Sequence, residues 1–244
     1  PDPVLQQIEQ TYNQGITSTD AFKAVTKFFA KITRPETIMT ALNNAMRVLT
    51  DPSDAGAAAI AISQDVQGET YEFDEEFFVK RVHHIRRAAP DAYEIEQAAK
   101  AIKQSKYPLV VVGGGVRYSE AGKAVKEFCE KHAIPIAETQ AGKSVIPSSH
   151  VLNLGGIGVT GNSCANEIAS KADVVIGIGT RFTDFTTSSK LLYAKSKIVA
   201  INVSPFHAKK MDAISVVCDA REGITALDKA IGQYRSEYKN EIRD

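Results

Sequence analysis

The chain lacks an excess of charge of either sign. Its 29 Lys and Arg balance 29 Asp and Glu, for a formal net charge of zero. With no long basic run either, the sequence argues against electrostatic binding to nucleic acid. No apolar run approaches roughly 18 residues, so no membrane span is expected. The opening "PDPVLQQIEQ" has neither the basic nor the apolar region of a secretory signal. Cysteine is scarce: Cys129, Cys164 and Cys218 are far apart and odd in number. They give no metal pair and no disulfide framework, fit a reducing cytoplasm, and read as small buried hydrophobes. Catalytic motifs are missing as well. There is no H-E-x-x-H, no G-x-S-x-G and no P-loop. His83, His84, His132, His150 and His207 share no ligand spacing, and each reads as a surface or satisfied residue. No catalytic residue and no metal ligand is assigned in this segment.

What is present is ordinary globular composition, 43% hydrophobic and 24% charged, over 244 residues. The first part runs to about Val66. Thr33 and Glu36 have capping-box spacing and Pro35 suits a first helical turn. Ile38, Ala41, Leu42, Ala45, Met46 and Leu49 then form one apolar stripe, which predicts an amphipathic helix. "AAAIAI", Ala57 to Ile62, predicts a short strand buried on both faces. Such a strand needs neighbours, so further strands are expected upstream and the chain is expected to start inside a domain. "PDPVLQQIEQTYNQG" reads as a helix closed by Gly15. Ser63 to Pro90 has no steady periodicity and reads as a long ordered linker. Its basic cluster of Lys80, Arg81, His83, His84, Arg86 and Arg87 is expected to be solvated or paired with Asp74, Glu75 and Glu76; binding an anion is the alternative.

The second part, Asp91 to about Tyr238, alternates strands and helices. Asp91 and Glu94 open a helix with capping-box spacing. Strands are expected at "PLVVVG", "IPIAE", "ADVVIGIG", "KIVAINV" and "SVVCD". Ser119 reads as the cap of the helix after the first of these. Further helices are expected from about Ser163 and about Ala220. This alternation predicts an α/β fold: a parallel sheet of about six strands with helices on both faces.

The three glycines of "VVVGGGVRYSEAG" test the Rossmann fingerprint, G-x-G-x-x-G/A at a turn from strand into helix. Gly113 and Gly115 fit the first two places, but Tyr118 takes the third. With Ser119 as cap, the glycines fall in a loop ahead of the helix, where help from its dipole is weaker. Glu138 lies about where a ribose-binding acid belongs. "GIGTRF" repeats the near miss with Phe182 in the third place. Either these glycines shape tight turns, or a nucleotide or other phosphate ligand lies over the strand ends. Gly113–Gly115, Thr139–Gly142, Leu154–Gly158, Gly179–Asp184, Asn202–Ser204 and Asp219 converge on that edge. Arg181 and Asp184 are its charged pair, expected to bind each other or to leave Arg181 for a phosphate.

Read together, these segments resemble the thiamine-diphosphate enzyme superfamily of the acetolactate synthase type. "VTKFFAKITRPETIMTALNNAMRVLTDPSDAGAAAIAISQDV" is similar to the end of the pyrimidine-binding domain. "PLVVVGGGVRYSEA", "IPIAETQAGK", "LGGIGVTGNSCAN", "ADVVIGIGTRFTDFTT" and "KIVAINVSP" resemble the Rossmann-like central domain. The resemblance divides the chain into residues 1–66, the C-terminal part of the pyrimidine-binding domain; 67–90, a linker; and 91–244, the central domain. "RPETIMTALNNAMRVLTDP", "SQDVQGETYEFDEEFF", "KRVHHIRR" and "TRFTDFTTSSK" are most similar to the superfamily's cyclic-diketone hydrolases of inositol breakdown.

That likeness implies hydrolytic opening of a cyclic 1,2-diketone to 5-deoxyglucuronate, with thiamine diphosphate and magnesium, in a cytoplasmic homodimer or homotetramer. The alternatives are an acetolactate synthase-like carboligase or decarboxylase, or a free-standing nucleotide-binding module. The family's activating glutamate belongs upstream of Pro1 and its GDG…N motif beyond Asp244. The resemblance therefore implies an internal fragment, inactive alone. Some relatives bind FAD or an adenine nucleotide on this domain, often with an acid where Asn202 stands. FAD is not expected here, and Gly114, Gly115, Arg181 and Asp184 are the candidates for a vestigial nucleotide site. Thr183, Thr186, Thr187 and Ser188 are candidate polyol contacts or local caps.

Overall fold

The structure, a computed structural model, describes residues 16–238. The helix expected over the first fifteen residues lies outside that range. The chain divides into two compact units, residues 1–86 and 87–244.

The first unit is built on one β-α-β crossover. Strand β1 (Phe28–Ile32) leads through helix α1 (Thr37–Leu49) to strand β2 (Ala58–Ile62). The two strands are parallel, in register from Phe28↔Ala58 to Ile32↔Ile62. Ile32, Ala41 and Val66 form the small core, backed by Ala30, Ile38 and Ile60. Two expectations are corrected here. Residues 58–62 have a strand partner within the chain, and rather than being buried on both faces, 58–61 are half-buried and Ile62 is exposed. Helix α1 starts later than Thr33 and Glu36 suggest. Its N-cap position is Glu36, without a side-chain cap, because that carboxylate turns to Arg34 instead. Thr37 Oγ1 closes the preceding turn by donating to the Arg34 carbonyl at 2.7 Å.

Residues 63–86 carry only two 3-10 turns, Val66–Gly68 and Glu75–Phe78. Phe73 anchors an aromatic cluster, stacked on Phe77 and edge-on to Tyr71 and Phe78. Asp74, Glu75 and Glu76 form no ion pair with the basic cluster among the described residues. Arg81 instead donates to Asn43 at 2.9 Å.

The second unit opens with helix α2 (Ala92–Gln104), strand β3 (Pro108–Val112) and the short helix α3 (Gly114–Tyr118). Helix α4 (Gly122–His132), β4 (Ile136–Glu138), β5 (Asn153–Gly156) and α5 (Ser163–Lys171) follow. Then come β6 (Val174–Ile178), α6 (Asp184–Thr187), β7 (Lys197–Asn202), α7 (Pro205–Ala208), β8 (Ile214–Val217) and α8 (Ala220–Ile231). The six strands are all parallel, in the order β5-β4-β3-β6-β7-β8. This is the doubly wound order, which reverses between β3 and β6. Alternation along the strands separates two cores. Val110, Val112, Ile176, Ile178, Val199 and Ile201 face α2, α4 and α8. Leu109, Val111, Val175 and Ala200 face α5 and the segment around Phe182 and Tyr193.

The caps explain where the helices start. Asp91 accepts from the amides of Tyr93 and Glu94, and Asp219 from those of Arg221 and Glu222. Glu94 does not complete a capping box. Its carboxylate accepts from Val217 N–H at 2.8 Å and ties α2 to β8. Ser119 is not the cap of α4: it closes α3, donating its hydroxyl to the Gly115 carbonyl at 2.8 Å. Strand β5 occupies residues read as loop from sequence, because two of its four residues are glycine. Cys129 and Cys218 are buried as expected, while Cys164 is exposed. Burial first pushes the Cys218 thiol up to about 12.

Candidate functional site

A doubly wound sheet offers its ligand crevice at the carboxyl ends of the strands, where the strand order reverses. Here that point lies between β3 and β6, so the turns after Val112 and Ile178 face each other. Gly113 N–H donates to the Ile178 carbonyl at 2.9 Å, and Gly115 N–H to the Gly179 carbonyl at 3.0 Å. A Cβ on Gly115 would stand 2.7 Å from Gly179 Cα, and one on Gly179 2.6 Å from Gly115 Cα. Such approaches exclude any side chain at either place. In a dinucleotide fold the glycines let backbone approach a pyrophosphate. In this chain they let two turns approach each other, and the seam joins the two sides of the crevice. Gly177 plays a separate part, since its missing Cβ leaves room for the buried Phe182 ring.

The helix after β3 also departs from the expectation. Helix α3 begins directly at Gly114, with Gly113 as its N-cap. The glycines thus sit at a strand-to-helix turn, not in a loop ahead of it. Yet α3 lasts five residues before the chain turns again into α4.

The other strand ends are also engaged. Asn202, at the end of β7, donates to the Thr180 carbonyl at 2.9 Å and accepts from Ser204 N–H at 2.9 Å. Its amide braces the Gly179–Thr180 turn. Glu138 is only 6% exposed and accepts from Ile146 N–H at 3.4 Å. It faces a backbone amide on the loop after β4. Arg87 enters the unit at the same edge. It donates to the Ser119 carbonyl at 2.7 Å and pairs with Asp219 at 3.1 Å and Glu120 at 3.0 Å.

Arg181 and Asp184 form no ion pair with each other among the described residues. Asp184 begins α6, while the Arg181 carbonyl accepts from Lys210 Nζ at 3.2 Å. Gly114 packs beside Ala141. Gly115 has its amide in the seam. The hydroxyl loop is largely self-capped: Thr187 donates to the Thr183 carbonyl at 3.0 Å and accepts from Lys190 N–H at 3.0 Å. Ser188, Ser189 and Lys190 follow with φ of 46°, 55° and 72°, a left-handed run that L residues adopt at a cost.

Sequence reasoning missed two participants. Asn166 on α5 grips Gly158 from both sides, accepting from its N–H at 2.9 Å and donating to its carbonyl at 3.0 Å. No pattern in the sequence marks it. His207 lies on α7 beside Phe206, and burial first, then the charges of Lys210 and Arg181, hold its imidazole below the usual range. Among the described residues, no three His, Cys, Asp or Glu side chains come together as a metal site.

A six-stranded, doubly wound parallel sheet with a core on each face defines the class of this unit. The profile of the thiamine pyrophosphate enzyme central domain matches residues 95–227, and the chain belongs to that family. The fold agrees with that of a putative thiamin diphosphate-dependent enzyme from Mycobacterium smegmatis. The TM-score is 0.73 at 22% identity, over 93% of this chain and 44% of the other.

At the level of individual relatives, the chain is similar to 3D-(3,5/4)-trihydroxycyclohexane-1,2-dione hydrolases. It is 58% identical to that of Geobacillus thermodenitrificans and 57% identical to that of Clostridium tetani. Each match takes in all of this chain and 38% of the relative.

Proposed function

We propose that this chain is the central part of a thiamine-diphosphate-dependent hydrolase that opens trihydroxycyclohexane-1,2-dione to 5-deoxyglucuronate. The identity of 58% with a hydrolase of that name, along the entire chain, carries this reading. Residues 1–66 then belong to the pyrimidine-binding domain, 67–90 to a linker and 91–244 to the central domain. The cofactor supplies the carbon nucleophile when bound. Its magnesium and diphosphate ligands, and the activating glutamate, are assigned to the rest of the protein, since the chain spans 38% of those relatives. The intact enzyme is a cytoplasmic homodimer or homotetramer.

On this reading the second unit is a spacer with a doubly wound fold and no flavin. Two observations support that role. The Gly115 amide is spent on Gly179, and the Asn202 amide on Thr180. Neither is left for a pyrophosphate or a ribose hydroxyl.

The test is turnover by the intact protein, supplied with thiamine diphosphate, magnesium and the cyclic dione. Formation of 5-deoxyglucuronate is expected, with none from this chain alone. An intact protein that condenses pyruvate and leaves the dione untouched would be a carboligase and would contradict the proposal.

A further inference from the structure

The strap of chain that closes the first unit carries charge with no partner in its own copy. Residues 69–78 hold Glu69, Glu72, Asp74, Glu75 and Glu76, with no base among them. Residues 79–86 hold Lys80, Arg81 and Arg86 with His83 and His84, and no acid. All of these side chains are exposed. None forms an ion pair among the described residues, and the Arg81 hydrogen bond goes to the neutral Asn43. Beyond the 3-10 turn Glu75–Phe78, residues 69–86 belong to no helix or strand.

The same strap exposes apolar surface. Phe78, Val79, Val82 and Ile85 are 70%, 61%, 86% and 57% exposed. Single exposed hydrophobes need no explanation, but a run of them so close together makes a patch. The Phe73, Phe77 and Phe78 rings contact one another, with centroids 5.2 to 6.0 Å apart. They pack the bend where the acidic half gives way to the basic half.

An acidic run and a basic run that do not meet within one copy can meet between two. The acids precede Phe78 and the bases follow it. Two copies laid antiparallel about a two-fold axis near that residue therefore set each acidic half against a basic half. An isologous contact requires a self-complementary patch of this kind. Laid parallel, the two straps would oppose like charges. Exposed ion pairs contribute little singly and more as a network, and the apolar patch adds area that leaves water on contact. Residues 69–86 give 18 residues a side, just short of the roughly 20–30 of a stable interface, so the contact is a weak and reversible one.

We propose that residues 69–86 form a self-complementary interface through which this chain associates with a second copy of itself. The acids of one copy face Lys80, Arg81 and Arg86 of the partner subunit, and the apolar patches of the two copies meet at the axis. The inference concerns association alone and stands whether or not the dione is the substrate.

The experiment is sedimentation velocity of the full chain across the micromolar range. It is run at about 0.1 M and about 1 M sodium chloride, between which the Debye length falls from about 10 Å to about 3 Å. A monomer–dimer equilibrium is expected, weakened about tenfold or more at the higher salt. Two charge-reversed variants locate the contact. One carries Asp74→Lys, Glu75→Lys and Glu76→Lys; the other carries Lys80→Glu, Arg81→Glu and Arg86→Glu. Each strap then bears mostly one sign of charge, so each variant alone should be monomeric. Mixed in equal amounts they present opposite signs, and a heterodimer should form at least as tightly as the wild-type dimer. Recovery in the mixture also shows that neither variant has lost its fold. A wild-type chain that stays monomeric throughout would leave the strap to another part of the intact enzyme and overturn the interface. Self-association retained by either variant, or a mixture that stays monomeric, would overturn it as well.

Discussion

Gly179→Ala is expected to lower the stability of the second unit by about 3 kcal/mol or more. Two costs combine. The new Cβ would lie 2.6 Å from Gly115 Cα and 2.8 Å from Val116 N, atoms of backbone that cannot swing aside. Overpacking of that kind costs about 1–3 kcal/mol. Gly179 also has φ +58°, a conformation that costs an L residue about 1–2 kcal/mol. For a chain of this size the sum lowers the melting temperature by about 6–12 °C. Gly232→Ala is a control without contacts. Gly232 has φ +63° with ψ −117°, a region essentially confined to glycine, but a Cβ there would meet nothing within 4 Å. Its cost should be conformational alone, about 1–3 kcal/mol. A cost under about 1 kcal/mol for Gly179→Ala would show that the turns do not pack as described.

The second large effect is expected at His132→Ala. His132 is fully buried and joins the end of α4 to α8 and to the segment after it. Its Nδ1 lies 2.7 Å from the Tyr234 carbonyl and its Nε2 2.6 Å from Asp228 Oδ1. Phe128 packs against the ring at 4.8 Å between centroids. Removing a large buried side chain costs about 3–5 kcal/mol through lost contacts and the cavity left behind. Asp228 would keep Lys131 Nζ, at 2.9 and 3.0 Å.

The loss should also depend on pH. Burial pulls the Asp228 carboxyl upward, but hydrogen bonds from Lys131 and His132 outweigh it, and the group lies below the ordinary carboxylate range. A carboxyl depressed by folding adds stability above its unfolded pKa of about 3.9, and that stability is lost as pH falls through the folded value. Denaturant midpoints at pH 7 and pH 3 measure it. Wild type should lose more stability than His132→Ala between those values, because the variant has already given up one donor. A pH 7 cost under about 1 kcal/mol would contradict the packing described for His132.

The main strands of the second unit are legible in the sequence because they are continuous apolar runs. "PLVVV" and "VVIGI" are buried along their whole length, as strands covered on both faces must be. Two strands are not legible. β1, "FFAKI", carries Lys31 at an exposed position, and β5, "NLGG", has no side-chain pattern at all. Both are held by tertiary pairing rather than by local preference. Ser119 misleads for a related reason. A serine two residues before an apolar stripe looks like a cap, and nothing local signals the separate turn of helix between Gly114 and Tyr118. At the candidate site, the sequence locates the strand ends correctly but not their partners. Gly115 and Gly179 stand 64 positions apart, and only the strand order brings them together.

The most direct test of the closed switch point is hydrogen exchange at the Gly115 amide, with and without saturating FAD. Its bond to the Gly179 carbonyl ties together two turns of the central strands, so slow exchange is expected, unchanged by FAD. Fast exchange in the free chain, or a change in exchange at Gly115 when FAD is added, would mean that the crevice is open to a nucleotide after all.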